Sequence, residues 1–423
     1  MGYKILVIGS GGREHAMVSK IVESPLCDAC FVAPGNPGTE FIATNLKVAI
    51  YDFEEIRNVI KVHTIDMVIV GPEVPLVDGL VDYLGESVPE VVVIGPNKYA
   101  AQLEGSKSFA KEFMTRHHIP TAAYIEINKA NLQDGYEHID SGVGPYVLKA
   151  DGLASGKGVL IIDDKEEAKA ALKEMIQGKF GDASAKVVIE QFLSGIEFSV
   201  FVLTDGKDYL ILPEAKDYKR IGVGDTGLNT GGMGAVSPVP FFDKALKEKV
   251  HQKIIQPTID GLQKDKIDYT GFIFFGLIKV GEEPYVIEYN CRMGDPETEA
   301  VFPRIKSDVV EAFAAVGQHT LGNYSLEVDE RAAATIIVVS GGYPEDFKKG
   351  FIIENIEEVK GSLVFHSGTA KDKSGNIVTS GGRVLAITTL DQNFEKALKI
   401  SKENADKIQY HGKYYRHDIG FDL

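Results

Sequence analysis

The chain is poor in cysteine, carries no surplus of basic residues and contains no long apolar run. Its thiols are Cys27, Cys30 and Cys291 alone, too few for the disulfide framework of a small secreted scaffold. Cys27 and Cys30 form a CxxC, but a structural zinc site takes about four ligands and one further thiol is all that remains. The pair falls where a helix gives way to a strand beginning CFVA, so neither metal nor redox work is expected of it. Lysine and arginine total 45 against 61 acidic residues, a formal net charge of −16, which repels nucleic acid and anionic membrane alike. The apolar runs around Phe272–Ile278 and Ala332–Val339 are too short to cross a bilayer. The opening residues MGYKILVIGSGG lack the basic segment, apolar core and cleavage site of an export signal, so the cytosol is the expected compartment. Internal repeats and low-complexity linkers are missing too. What is present is ordinary for a globular enzyme: 44% hydrophobic and 25% charged residues, enough apolar surface to offset chain entropy. The length favours roughly two to four packed units.

The first hundred residues alternate strand and helix. The runs KILVIG, CFVAP, MVIVG (Met67 to Gly71) and VVVIG (Val91 to Gly95) are short and rich in β-branched residues, with a helical stretch at Arg13–Glu23. Such alternation predicts a parallel sheet with right-handed crossovers, whose ligands bind beyond the carboxyl ends of the strands. Each of those ends carries Gly or Pro. A helix from about Ser106 to His118 must stop before Pro120, because the residue preceding proline resists the helical region. A smaller unit follows, with strands YVLKA, GVLIID and KVVIE and a helix at Glu166–Gln177. Beyond Gln191 lies a strand-rich region with long loops. The last part holds AATIIVVS, GRVLAITT and a helix near Phe394–Asp406. The expected units are 1–104, 105–122 with 191–325, 123–190, and 326–423.

Four segments carry chemistry. Gly9-Ser-Gly-Gly-Arg-Glu-His sits between a strand and a helix, where Gly11 and Gly12 let backbone approach an anion at a helix N-terminus. Arg13 can grip two oxygens at once. A nicotinamide-dinucleotide fingerprint would place a third glycine where Glu14 stands and an acid where Ala33-Pro-Gly-Asn36 stands, so an oxidoreductase is disfavoured. Lys149-Ala-Asp-Gly-Leu-Ala-Ser-Gly156-Lys157-Gly158 puts one lysine at a strand end and another in a glycine loop. Its spacing and the lack of a following Ser or Thr separate it from a Walker loop, but mobile loops that close over triphosphate use this chemistry. In the third, VVIEQFLSGIEFS, a strand ends near Glu190 and another opens at Glu197, a common pattern taken alone. The fourth, Val286-Ile-Glu288-Tyr-Asn290-Cys-Arg292-Met-Gly-Asp295-Pro-Glu297, is the most specific. Glu288, Asn290 and Arg292 share one strand face. A carboxylate and an amide oxygen suit Mg²⁺ held mainly by phosphates. The arginine can stabilise charge on a transferring group.

Taken in order, LEGSK, KADGLASGKGV, IEQFLSGIEFS, DTGLNTGGMGA and EYNCRMGDPETE resemble the glycinamide ribonucleotide synthetase family of ATP-grasp ligases, as do VIGSGGREHA, APGNPGT, FHSGTA and TSGGRVL. The resemblance covers essentially the whole chain. It implies an α/β and α+β multidomain fold: a Rossmann-like parallel-sheet N-terminal domain, an ATP-grasp core of two subdomains, and a small β-rich C-terminal domain. It implies ATP binding by Lys107, Lys149, Gly156, Lys157, the hinge Glu190, Gln191, Phe192 and Leu193, and Glu197 at the ribose. Metal ligands would be Glu288 and Asn290, for Mg²⁺ or Mn²⁺. Catalytic roles fall to Arg292, Lys157 and Asp217. Substrate binding falls to Gly11, Gly12, Arg13, Gly71, Pro72, Glu73, Lys219, Arg220, Asp295, Pro296 and Glu297. The implied partners are ATP, glycine and phosphoribosylamine, with no nucleic acid or membrane, and a chain that is a monomer or weak dimer. Another ATP-grasp carboxylate–amine ligase or carboxylase is the nearest alternative. Two departures stand out. The family's Gln-Asp-His-Lys-Arg reads Lys216-Asp217-Tyr218-Lys219-Arg220 here. The strand that often supplies a further metal acid reads Phe274-Phe-Gly-Leu, leaving two protein ligands.

Overall fold

The computed structural model describes residues 2–154 and 158–423. The N-terminal alternation folds into a five-stranded, all-parallel sheet. From edge to edge its strands are Thr44–Asn45, Cys27–Pro34, Tyr3–Gly9, Met67–Val70 and Val92–Ile94. Strand order reverses between Tyr3–Gly9 and Met67–Val70, so the crevice beyond a parallel sheet opens beside Gly9 and Gly71. The first helix is Gly12–Ile21, two residues shorter at its end than the pattern suggested. The second strand starts at Cys27 and not at Cys30, because Cys27 already pairs with Tyr3. Both thiols pack with Ile5 and Val32 against one apolar cluster, and burial pushes the Cys30 thiol up.

A four-stranded antiparallel sheet follows, ordered Tyr124–Asn128, Lys186–Gln191, Tyr146–Ala150 and Val159–Ile162. Helices Leu132–Ser141 and Lys165–Ile176 cover it, burying Ile139, Leu172 and Met175 against Leu148 and Ile189. The second helix starts where Asp164 accepts a hydrogen bond from the Glu167 N–H, satisfying a donor that the helix itself leaves unpaired. The helix before this unit runs Lys107–Arg116, capped by Ser106. It ends short of His118, which takes a positive φ of 56° ahead of Ile119-Pro120.

The remainder builds around one eight-stranded antiparallel sheet: Glu283–Asn290, Gly271–Val280, Ile196–Thr204, Tyr209–Asp217, Gly234–Ser237, Ala332–Val339, Arg383–Asp391 and Leu363–His366. The sheet therefore passes without a break from the middle of the chain into its last hundred residues, through the pairing of Ala235 with Thr335. Helix Phe394–Lys407, capped by Asn393, packs Ala397, Leu398 and Ala405 onto that C-terminal end. Helices Lys244–Val250 and Gln256–Lys264, joined by a π turn, were not separable by sequence from the surrounding strands. Their apolar stripe of Leu246, Val250, Ile254, Ile259 and Leu262 is buried against the sheet.

The parallel sheet docks on the long sheet with helix Val309–Gly317 beside the contact, and Ile94, Phe272 and the helix's Phe313 share one apolar cluster there. Backbone meets backbone at Gly271, where φ is +115° and a Cβ would lie 2.7 Å from the Gly95 nitrogen. No side chain fits there without moving one sheet off the other. Gly271→Ala is expected to cost about 1–3 kcal/mol from the backbone conformation alone. A thermal melt that matches the wild type would remove this contact from the account of how the sheets are joined.

Candidate active site

The strand Glu283–Asn290 is the edge of the long sheet, and it packs against the short helix Gln102–Gly105 and the helix Lys107–Arg116. Glu288 lies opposite Gly276 and Asn290 opposite Phe274. A Cβ on Gly276 would come within 3.1 Å of the Glu288 Cγ, so the absence of a side chain in Phe274-Phe-Gly-Leu makes room for this carboxylate. Burial pushes the Glu288 pKa up, but Lys219, Lys149, Lys107 and Arg292 together outweigh it and hold the group below the usual range. Glu288 forms no salt bridge among the described residues, and it lines a cavity of about 190 Å³ with Asn290, Arg292 and Lys107. Among the described residues no three His, Cys, Asp or Glu side chains are gathered to hold a metal. One carboxylate and one amide oxygen fit a divalent cation only if phosphates supply most of its shell.

The opposite wall comes from the four-stranded sheet and the helix before it. Lys149 ends its strand with Nζ 2.8 Å from Glu190 Oε2. Lys111 reaches the same oxygen at 3.3 Å. Burial lowers the Lys111 pKa to about 8 despite that partner. Glu190, expected in an adenine hinge, thus turns inward, while Gln191 and Phe192 are exposed and Leu193 is half-buried. Lys107 opens its helix, and burial lowers its pKa while Glu288 works in the other direction. Asp151 fixes this corner by accepting the Ser108 N–H at 2.7 Å. Gly156 and Lys157, expected on the closing loop, lie outside the described residues.

Arg292 joins this wall to the parallel sheet. It donates to Glu104 Oε1 at 2.8 Å and to Asn290 Oδ1 at 3.1 Å, and its Nε lies 3.4 Å from Glu73 Oε2. Glu73 follows Gly71-Pro72 at the mouth of the sheet crevice, where Pro72 stands just before the short helix Glu73–Asp78. Glu14, where a dinucleotide site would have glycine, fills that crevice: a Cβ on Gly71 would overlap its carboxylate, and one on Gly9 would lie 2.5 Å from its Cδ. The Gly11 N–H donates to Glu14 at 2.6 Å, and so does Arg13 Nε at 2.6 Å. Arg13 also reaches the Met293 carbonyl at 3.3 Å, so part of its guanidinium is committed within the protein. Gly11 and Gly12 lie close against Asp295 and Glu299, leaving no space for side chains of their own. Arg383, from TSGGRVL, holds Asp295 Oδ1 at 3.0 Å and its carbonyl at 2.8 Å. Asn36, from APGNPGT, donates to the carbonyls of Ser10 and His366. His15 accepts the His366 N–H at 2.8 Å, and burial lowers its pKa to about 3, which keeps that ring neutral.

The remaining candidates cluster on the inner strands. Lys219 pairs with Glu197 at 2.9 Å, so the expected ribose acceptor is engaged by a substrate-loop lysine. Arg220 donates to the Gly227 carbonyl of its own hairpin and so is turned from the cavity. Burial raises the Asp217 pKa, with Lys219 opposing and Glu197 adding to the effect. Glu297 accepts from Ser199 at 3.4 Å, and burial, reinforced by Asp217, pushes its pKa up to about 8. Pro296 packs under Gly232 of the NTGGMGA turn. Tyr218, which stands where the family has histidine, is fully buried and points away from the cavity. Its hydroxyl donates to Asp422 at 2.8 Å, and Lys216 Nζ lies 3.1 Å from the same carboxylate. Nothing in the sequence alone assigned a site role to Glu14, Asn36, Glu104, Lys111, Glu299 or Arg383. Each stands in or beside a motif that had been noticed, but their partners are far away in sequence.

Three family models match the chain: the N domain of phosphoribosylglycinamide synthetase over residues 3–104, its ATP-grasp (A) domain over 105–298 and its C domain over 333–422. The chain belongs to the phosphoribosylglycinamide synthetase family. A phosphoribosylamine–glycine ligase of Vibrio vulnificus is 44% identical over 423 residues, covering 99% of this chain and 97% of that one. One from Yersinia pestis is 42% identical, with 99% and 98% covered. The crystal structure of the Thermotoga maritima phosphoribosylamine–glycine ligase superposes with a TM-score of 0.84 at 33% identity, covering 98% of this chain and 99% of that one. A biotin carboxylase domain from Hydrogenobacter thermophilus shares the fold at a TM-score of 0.73 and 16% identity, with 98% and 92% covered. Within the synthetase family the fold is therefore as expected: a Rossmann-like front, an ATP-grasp core and a β-rich C-terminal part.

Glu297 gives the site a pH signature. Its folded pKa of about 8 lies above the ordinary 4.5, so the folded chain binds the proton more tightly than the unfolded one. Its contribution to stability is complete below about pH 4.5 and is lost as pH rises toward 8, with a slope of at most about 1.4 kcal/mol per pH unit. Between pH 6 and pH 8 the melting temperature of the wild type should fall further than that of Glu297→Gln. Equal falls would show that Glu297 is already ionised at pH 6.

Proposed function

We propose that the chain joins glycine to 5-phosphoribosylamine, the ligation its relatives are named for, at the expense of ATP and with release of ADP and phosphate. The observation that carries this reading is the position of Arg292. It touches Asn290 in the cavity and faces Glu73 at the mouth of the sheet crevice. One cation thus spans a compartment suited to phosphates and a second suited to the acceptor.

In this reading Lys107, Lys149 and Lys157 bind the ATP phosphates, and the hinge from Glu190 through Gln191 and Phe192 to Leu193 holds the base. Glu197 serves the ribose once Lys219 yields it. A divalent cation, Mg²⁺ or Mn²⁺, would be held by Glu288 and Asn290 and would neutralise phosphate charge. Glycine carboxylate attacks the γ-phosphorus, giving glycyl phosphate and ADP. The amine of phosphoribosylamine then attacks the acyl carbon and expels phosphate. No covalent enzyme intermediate is required, so the work is positioning and charge stabilisation. Arg292 donates toward oxygen of the transferring group, which matters most where water is excluded. Lys219, Asp217 and Glu297 line the glycine side. Gly11, Gly12, Arg13, Gly71, Pro72, Glu73, Asp295 and Pro296 frame the sugar-phosphate side.

The direct test is ADP release from ATP with glycine and freshly made phosphoribosylamine, each alone and together. Sustained release is expected only with both. Glu288→Gln keeps the shape but removes the charge that faces Lys107 and Lys219. It should lower turnover by at least about tenfold, the size of one charge-assisted contact, and raise the Mg²⁺ concentration needed for half-maximal rate. Near-normal turnover at low Mg²⁺ would remove Glu288 from the metal site.

A further inference from the structure

Glu104 belongs to the LEGSK segment, three residues before the phosphate-facing Lys107. It is 8% exposed. Its carboxylate gathers three donors from one short stretch almost two hundred residues away. Oε2 accepts the Cys291 N–H at 2.8 Å and the Cys291 thiol at 3.1 Å, and Oε1 accepts Arg292 Nη2 at 2.8 Å. A buried carboxylate persists only when its lone pairs are met, and here all three donors belong to the peptide linking Asn290 to Arg292 or to the side chains beside it. The same Arg292 nitrogen also donates to Asn290 Oδ1 at 3.1 Å. Arg292 Nε, by contrast, is a buried donor with no hydrogen-bond partner among the described residues; Glu73 at 3.4 Å is an ion-pair neighbour of poor geometry. Arg292 Nη1 donates to the Met293 carbonyl at 3.3 Å, so the guanidinium is held through both terminal nitrogens while Nε is left without an acceptor among the described residues, beside the cavity that Glu104 and Arg292 both line.

We propose that Glu104 is the positioning residue of the reaction: it fixes the Arg292 guanidinium and the Cys291 peptide so that the guanidinium meets oxygen of the transferring group. Glu104 itself touches no reacting atom. Its oxygens are occupied by Cys291 and Arg292, so it acts through Arg292, while Glu73, more exposed, balances the charge from the acceptor side. The inference rests on the ligase reading above, in which Arg292 stabilises charge during transfer.

A double-mutant cycle tests it. Glu104→Gln is nearly isosteric but loses the charge, and its amide NH₂ would confront a donor. We expect kcat to fall roughly ten- to a hundredfold, as for one charge-assisted hydrogen bond, with KM for ATP and for glycine within about threefold of the wild type. In an Arg292→Lys background the same substitution should cost less than about twofold, because the group it orients is gone. A purely structural role would move KM and melting temperature together with kcat, and would act equally in both backgrounds. An equal loss in the two backgrounds, an unchanged kcat in the single variant, or a kcat loss matched by a rise in KM for ATP would each overturn the proposal. If Glu104→Gln does not melt cooperatively, Glu104→Asp takes its place in the cycle. It keeps the charge and shortens the reach, and the same outcomes decide. The wild type assayed alongside separates the two readings. If it releases no ADP with both substrates, the ligase reading falls and this inference with it. If it is active and the cycle is additive, only the role of Glu104 falls.

Discussion

Charges taken out of water must find partners, and the centre of this protein is organised by that requirement. Arg292 sits between Glu104 and Glu73, Lys149 and Lys111 share Glu190, and Arg383 holds Asp295. Removing one member of such a pair leaves the other buried and uncompensated, which costs far more than the pair contributes. The pairs therefore act as fixed points. Each of the three sheets contributes to them, and they hold the approaching ends of those sheets in one arrangement.

Not every charge lining the cavity is fully paired in this way. Among the described residues Glu288 has lysines around it but no salt bridge, and Arg292 Nε has no hydrogen-bond partner. A site that must bind polyanionic substrate and cation together needs unsatisfied charge of both signs in the same place. The neighbouring pairs supply the rigidity that lets such groups stay unsatisfied. Preorganisation of this kind stabilises developing charge without reorganising the protein during the reaction.

The two departures from the family pattern have physical explanations. The strand that lacks a further acid carries Gly276 opposite Glu288, and the missing side chain leaves the space that Glu288 occupies. Tyr218 is not a substitute for histidine in the cavity. It is a buried tie to Asp422, and Lys216 at the first position of the same motif joins the same carboxylate. The front glycines show a comparable shift. Gly11 and Gly12 do permit close approach, but in this structure the atoms that approach are those of Glu14, Asp295 and Glu299.

Local order was legible from the residues alone. Apolar β-branched runs with glycine at their ends dictated the parallel front sheet, and the strands YVLKA and KVVIE and the helix at Phe394 appeared close to where the pattern put them, because periodicity and capping are properties of neighbouring residues. The motif Glu288-Tyr-Asn290-Cys-Arg292 announced its chemistry for the same reason as far as Asn290, where the strand ends; Arg292, expected on the same strand face, lies two residues past that end and returns to Asn290 through a hydrogen bond. Pairings across the chain were not legible. That Glu104 clamps Arg292, that Glu190 turns inward to two lysines, and that Tyr218 reaches Asp422 depend on how three sheets pack. A lone glutamate or tyrosine in a sequence looks the same whether it meets solvent or a partner two hundred residues away. The choice is made by tertiary structure, where the desolvation of each charge and hydroxyl must be offset by whichever donor or acceptor the packing brings within reach.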